Sequence, residues 1–281
     1  MTLLTAASGA THGLLPNEIG VLITQPVRAA SVALNVANVA TTSDHEYRVP
    51  VVLGDAGAAW TAEGAEIAAS DAEFDEIVVT PKKVAGLSII SRELANDSSP
   101  SAQQLVGEGL AQSIATKVDQ AFFGNTVTNG PSGLLSVSGV QTVDTGAGIA
   151  NTDPFAEALS KAETEGAAVT SFVAHPTTVL ALSKVKKQTG SNEPLLGYDA
   201  SQPTRRQVLG VPLVPSPAVA AGDVWAIPSS KVVVVLREDV TLDVDRSAYF
   251  SSDRIGIRAT LRVGFAFPHP AALVLLAKAG S

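Results

Sequence analysis

Residues 98–123 form the stretch that most limits what this chain can become, because they read as one long helix with a single buried face. Ser98, Ser99 and Pro100 place a serine cap and a proline in the first turn, and Gly124-Asn125 stop the helix. Val106, Leu110, Ile114, Val118 and Phe122 recur every four residues, joined by Ala111, Ala115 and Ala121. Glu108, Gln112, Lys117 and Asp119 mostly fall elsewhere on the surface of that helix.

The chain of 281 residues is 46% hydrophobic, enough for a sizeable core, but only 5% of it is aromatic and 16% charged. Small and β-branched side chains therefore make the core, which favours strands. Strands are predicted at 46–53, where Pro50 points to an edge position, and at 74–80 and 84–91. Four more are predicted at 231–237, 240–246, 254–265 and 271–277. Asp153-Pro154 cap a helix that runs to Glu165 and stops at Gly166; 170–174 reads as a strand, and His175-Pro176 open a further helix to about Lys187. The alternation implies an α+β or α/β unit. Residues 1–45 read as an arm in which only 18–28 offers a short amphipathic or extended piece, and 188–223, with Arg205-Arg206, as a connector on the surface.

Between the first two strands lie about 20 residues without a sustained period, a length that is uncommon inside a compact domain and is associated with function or mobility. Its acids are Asp55, Glu63, Glu66, Asp71, Glu73, Asp75 and Glu76, and no Lys or Arg occurs between Arg48 and Lys82. Two readings stand side by side: a solvated acidic loop kept soluble by its charge, and an excursion that reaches a partner. On the last long strand, Ile255, Ile257, Ala259, Leu261 and Val263 share one face and Arg254, Gly256, Arg258, Thr260 and Arg262 the other, giving a basic stripe or an ordinary solvated face.

Signals of chemistry are weak. The formal charge of −8 argues against a nucleic-acid footprint, and the absence of cysteine removes disulfides and thiolate ligands. His12, His45, His175 and His269 are scattered, with no helical metal spacing. Gly130-Pro131-Ser132-Gly133 lacks the spacing of a nucleophile elbow and Gly146-Ala147-Gly148 that of a dinucleotide fingerprint; no P-loop is present. Asp243 and Asp245 share a strand face, but their alternation with Leu242 and Val244 reads as a half-exposed strand. No catalytic residue, cofactor or metal is expected, although a triad assembled in space stays open. The first ten residues lack a basic segment ahead of an apolar one, and no apolar run approaches the roughly 20 residues that span a bilayer. The chain reads as soluble.

Three segments in order carry a resemblance: Ala59-Trp60-Thr61-Ala62-Glu63-Gly64, then Phe74-Asp75-Glu76-Ile77-Val78-Val79-Thr80-Pro81-Lys82-Lys83, then Ser91-Arg92-Glu93-Leu94-Ala95-Asn96-Asp97-Ser98. Asp119 to Asn125 at the end of the long helix, Gly133-Leu134-Leu135, and Val263-Gly264-Phe265 to His269-Pro270-Ala271-Ala272 continue it. The order and spacing resemble the major capsid proteins of tailed bacteriophages of the Hong Kong 97 type, over most of the chain from Glu46 onward.

The resemblance implies an α+β capsid fold with an N-terminal arm (1–45), an extended β-hairpin loop (46–90), a peripheral domain with a long spine helix (91–131 and 246–281) and an axial domain (132–245). It implies a head protein that self-assembles through hexamers and pentamers into an icosahedral shell around double-stranded DNA. Such a protein is a virion component assembled in the host bacterial cytoplasm, with no enzymatic activity and no membrane association. In such shells the extended loop lies across a neighbour's peripheral domain. Trp60, Glu63, Glu66, Asp71, Glu73, Asp75 and Glu76 are then expected to meet Arg254, Arg258 and Arg262 of the next copy. A separate scaffolding protein, a portal and decoration proteins are the further partners implied.

Two departures from the family pattern matter. Some relatives weld neighbours through a lysine in the extended loop, and here none lies between Arg48 and Lys82; Lys82 and Lys83 sit at its base. The chain also starts close to the arm without a long helical scaffolding segment, so a separate scaffold or a trimmed chain is expected. An encapsulin-like nanocompartment shell is the nearest rival, though the Ala- and Thr-rich arm is unlike the helical start of that group. A hydrolase on an unfamiliar α+β scaffold is the third reading.

Overall fold

The computed structural model describes residues 27, 30–54, 60, 64, 73–93, 101–146, 148–188, 190–196, 206–245 and 247–278. The expected cap Ser98-Ser99-Pro100, most of 18–28 and Arg205 lie outside them. The long helix is the segment Ser101–Phe123, and it buries Ala111, Ile114, Ala115, Val118, Ala121, Phe122 and Phe123, the face its periodicity indicates. It lies on a four-stranded sheet of β1 (Asn38–Thr42), β4 (Lys82–Ser91), β10 (Val233–Asp245) and β11 (Arg254–Ala266), in the order β1-β10-β11-β4. Ile90, Ile255 and Ile257 meet Val106 and Leu110 of the helix. Gly86 allows the approach, because a Cβ there would stand 2.9 Å from Leu110 Cδ2. Phe122 is the hub, in edge-on contact with Phe123 and Phe265 at ring separations of 4.9 and 5.1 Å.

A single 13-residue strand, β10, replaces the two expected at 231–237 and 240–246; the polar Glu238-Asp239 break is absorbed as a register shift against β11 between Arg237 and Thr241. The stretch read as an arm carries regular structure beyond the 18–28 piece expected of it. Its final stretch forms helix α1 (Val32–Val36) and strand β1, which runs parallel to β10. Val27, Ala33, Leu34 and Val36 are buried in the main core, so these residues are built into the body of the molecule. With α1 defined, the long helix is α2.

The second sheet has six strands: β5 (Gln141–Asp144), β6 (Ser171–Ala174), β7 (Gln207–Val208), β8 (Val211–Pro215), β9 (Val224–Ile227) and β12 (Val274–Ala277), in the order β5-β12-β9-β6-β8-β7. Helices α3 (Asp153–Thr164) and α4 (Pro176–Lys184) pack on it, with Phe155 edge-on to Phe172 at 4.9 Å. Thr152, not Asp153, holds the N-cap position of α3, while His175 caps α4, its Nδ1 accepting the Thr177 N–H at 3.2 Å. The expected connector 188–223 is overturned at β7 and β8. Pro212 and Pro215 read as breakers, yet Leu213 between them is buried and β8 sits inside the sheet between β6 and β7.

The chain passes between the two sheets more than once. Strand β10 of the 132–245 stretch belongs to the four-stranded sheet, β12 of the 246–281 stretch to the six-stranded one, and β4, placed in the 46–90 loop, pairs along its length with β11. The remaining strands, β2 (Tyr47–Gly54) and β3 (Glu73–Val79), form a two-stranded antiparallel ribbon.

Candidate assembly interface

Register fixes the two faces of the ribbon. Tyr47, Val49, Val51 oppose Val79, Ile77 and Asp75, and Val49 and Val79 are buried against Val235 and Ala266, which anchors the base of the ribbon to the four-stranded sheet. The other face carries Arg48, Pro50 and Val52 opposite Val78, Glu76 and Phe74. Phe74 is 73% exposed and Val52 51%, so a cross-strand apolar pair stands in solvent. Trp60, in the segment joining the two strands, is fully exposed. The ribbon thus leaves large apolar groups exposed.

The four-stranded sheet has an open face of its own, opposite α2. On β4 it presents Lys83, Ala85, Leu87 and Ile89, with Leu87 59% exposed; directly opposite on β11 stand Arg262, Thr260, Arg258 and Gly256. The predicted alternation of β11 holds: its apolar set is buried, Arg254 and Arg258 are exposed and Arg262 is half-buried. Arg258 donates to Asp243 across the β10–β11 pair at 2.7 Å, and Arg262 faces Arg237 on one side and Lys83 on the other.

The acids expected at the interface are distributed unevenly. Glu63, Glu66 and Asp71 lie outside the described residues, and Glu73 opens β3. Asp75 is exposed and accepts the Glu76 N–H at 2.8 Å, while Glu76 forms an ion pair with Arg48 inside the ribbon. No expected acid–arginine contact forms within one chain among the described residues; Arg258 and Glu76 each use a local partner instead. Asp243 and Asp245 both have structural roles. The Ser247 hydroxyl, then the N–H groups of Ser247 and Ala248, hold the Asp245 carboxyl below the usual range.

Sequence reasoning placed Asp119 on the polar side of the long helix, and that is corrected. Its carboxylate is buried and accepts the Ser31 hydroxyl at 2.6 Å and the Val32 and Ala33 N–H groups at 3.0 Å each, capping α1. The signal was its spacing, four residues after Ala115 and three before Phe122, on the buried stripe. Among the described residues His269 Nε2 lies 3.2 Å from Glu165 Oε2, no cluster of His, Asp and Glu could hold a metal, and no helix is long and apolar enough to cross a membrane.

A long helix on an open-faced sheet, a second sheet with two helices and a two-stranded ribbon define a capsid-type subunit of the Hong Kong 97 fold. The fold overlays the capsid subunit of an empty GTA particle with a TM-score of 0.74, at 19% identity, covering 99% of this chain and 96% of that one. The chain belongs to the phage capsid family, which it matches over residues 12–278. It is 27% identical to the capsid polyprotein of Pseudomonas phage PAJU2 over 197 residues, which is 64% of this chain and 28% of that protein. It is 30% identical to the major capsid protein of Halomonas phage phiHAP-1 over 93 residues, which is 33% of this chain and 15% of that protein. The matched parts thus cover less than a third of the length of either curated relative.

Proposed function

We propose that the chain is the major head subunit of a tailed bacteriophage, self-assembling through pentamers and hexamers into an icosahedral shell that encloses double-stranded DNA. The observation that carries this reading is a capsid-family match that runs nearly the length of the chain. The uncovered ribbon face and the open sheet face support it, since both are surfaces that a second copy would bury. The subunit acts by position and performs no chemistry. A scaffolding protein, a portal and decoration proteins are its further partners, in particles put together in the host bacterial cytoplasm.

In this reading the ribbon and residues 55–72 are the extended loop, 1–45 the arm, α2 with its sheet the core of the peripheral domain and the six-stranded sheet that of the axial domain. Trp60, Glu63, Glu66, Asp71, Glu73, Asp75 and Glu76 lie on the donor side of each contact, and Arg254, Arg258 and Arg262 on the receiving side of the next copy. Exposed ion pairs contribute only about 0–1 kcal/mol each. Closure makes later contacts effectively intramolecular, so repetition stabilises a shell that no single pair could hold.

Light scattering on the purified full chain, followed by negative-stain imaging, tests the proposal. Rings of five or six, or closed particles, are expected. A strictly monomeric species at high concentration, with and without candidate scaffold, would overturn it.

A further inference from the structure

A hairpin closed by two residues favours a loop in which both take positive φ, and Asn-Gly or Asp-Gly suits it best. The β7–β8 hairpin has this loop at Leu209-Gly210, with φ of 51° and 81°. Its first position breaks the rule. Among the described residues two other non-glycine residues have positive φ, Asn129 and Asp253, and both are of types that tolerate it; a leucine there crowds its side chain against the following carbonyl. Leu209 recovers nothing for that strain inside the subunit, since it takes no part in the core beneath α3 and α4 and is 51% exposed. A residue that weakens its own turn and leaves an apolar group in water is placed for a partner.

Leu180 is its counterpart. Of the large apolar side chains exposed among the described residues, Leu209 and Leu180 are the two that belong to the six-stranded sheet and its helices. Helix α4 buries Thr178, Val179 and Leu182 against the sheet, so Leu180 stands on its outer side beside the exposed Pro176, Thr177 and Ala181. We infer that Leu209 of one copy anchors on this outer face of α4 in a second copy, an inference that rests on the shell reading above and assigns one of its contacts to named residues. Topology points to a second copy. The hairpin tip precedes β8, which runs parallel to β6, whereas α4 begins beyond the far end of β6. The tip and the start of α4 therefore lie at opposite ends of the sheet, and Leu180 turns away from it, out of reach of its own chain's Leu209. Anchor and seat are different patches of one chain, so the contact is heterologous and repeats around a ring rather than closing as a twofold dimer.

The chain has no cysteine, so thiols can be introduced without background. Q207C and A181C, at exposed positions beside the two leucines, leave both leucines in place, and a short bismaleimide bridges them in the purified full chain. Covalent multimers beyond the dimer are expected on a denaturing gel, with peptide mapping joining position 207 to position 181. Adding L209N or L180S should reduce them about tenfold or more, as the loss of a central apolar anchor does. Because asparagine suits the turn, L209N alone should at the same time raise the denaturant midpoint of the subunit, the reverse of what a leucine serving its own fold would show. Bridges confined to single chains, multimers indifferent to L209N and L180S, dimers formed equally well by Q207C alone, or a midpoint lowered by L209N would each overturn the inference. Scattering reads closed particles, whereas the bridges read this contact with or without them, so failure of one is distinguishable from failure of the other.

Discussion

Asp119 ties the end of the arm to the long helix. Its carboxylate satisfies three donors that would otherwise be buried without partners, two of them the first N–H groups of α1. Asp119→Ala should lower stability by about 1–3 kcal/mol, read as a shifted denaturant midpoint, and Asp119→Asn, which keeps one acceptor oxygen, by less. An unchanged midpoint in the alanine variant would mean that the cap does not hold the arm. Spacing gave away the burial of Asp119, but its charge pointed outward, since unpaired acids are rarely buried. Its partner Ser31 lies 88 residues away in sequence, where no periodicity could show it. Gly133 makes a similar point. The sequence marks it only as part of a family pattern, whereas in space an added Cβ would lie 2.0 Å from the Ala121 carbonyl oxygen at the end of α2. Leu135, two residues on, donates its N–H to the Gly124 oxygen, so the loop seals the helix terminus.

Among the elements, the β2–β3 ribbon has the plainest division of labour, one face anchored at its base and the other open. Phe74→Ser combined with Val52→Ser should leave the unfolding free energy within about 0.5 kcal/mol of wild type, because both side chains are already in water. The same pair should sharply reduce the yield of particles seen by scattering. Full assembly by this variant would show that the open ribbon face is not buried in the shell. The ribbon, β4 and β11 were legible because alternation and turn residues bounded them clearly. Strands β1 and β8 were not. The first lies in a stretch whose apolar residues are scattered, and the second is interrupted by prolines that a short buried strand tolerates. What makes each a strand is a partner far along the chain, β10 for one and β6 for the other.

At the scale of the molecule, the proposed pairing of an acidic segment with a cationic surface predicts that assembly is sensitive to ionic strength. The subunit concentration at which particles first appear should rise as salt increases through the physiological range, where the Debye length falls to about 8 Å. A threshold that falls with salt would assign the contact to apolar burial instead. Family order says nothing of how the chain passes between the two sheets, because sheet partners follow spatial proximity. The six-stranded sheet shows what that costs. Strand β12 lies between β5 and β9, and β5 has no other neighbour in the sheet. A ribosome that has made residue 144 must continue to residue 277 before β5 can pair, a delay on the order of ten seconds at about 5–20 residues per second. A prematurely released chain therefore carries an unfinished sheet, and translation itself keeps incomplete copies from becoming sound building material.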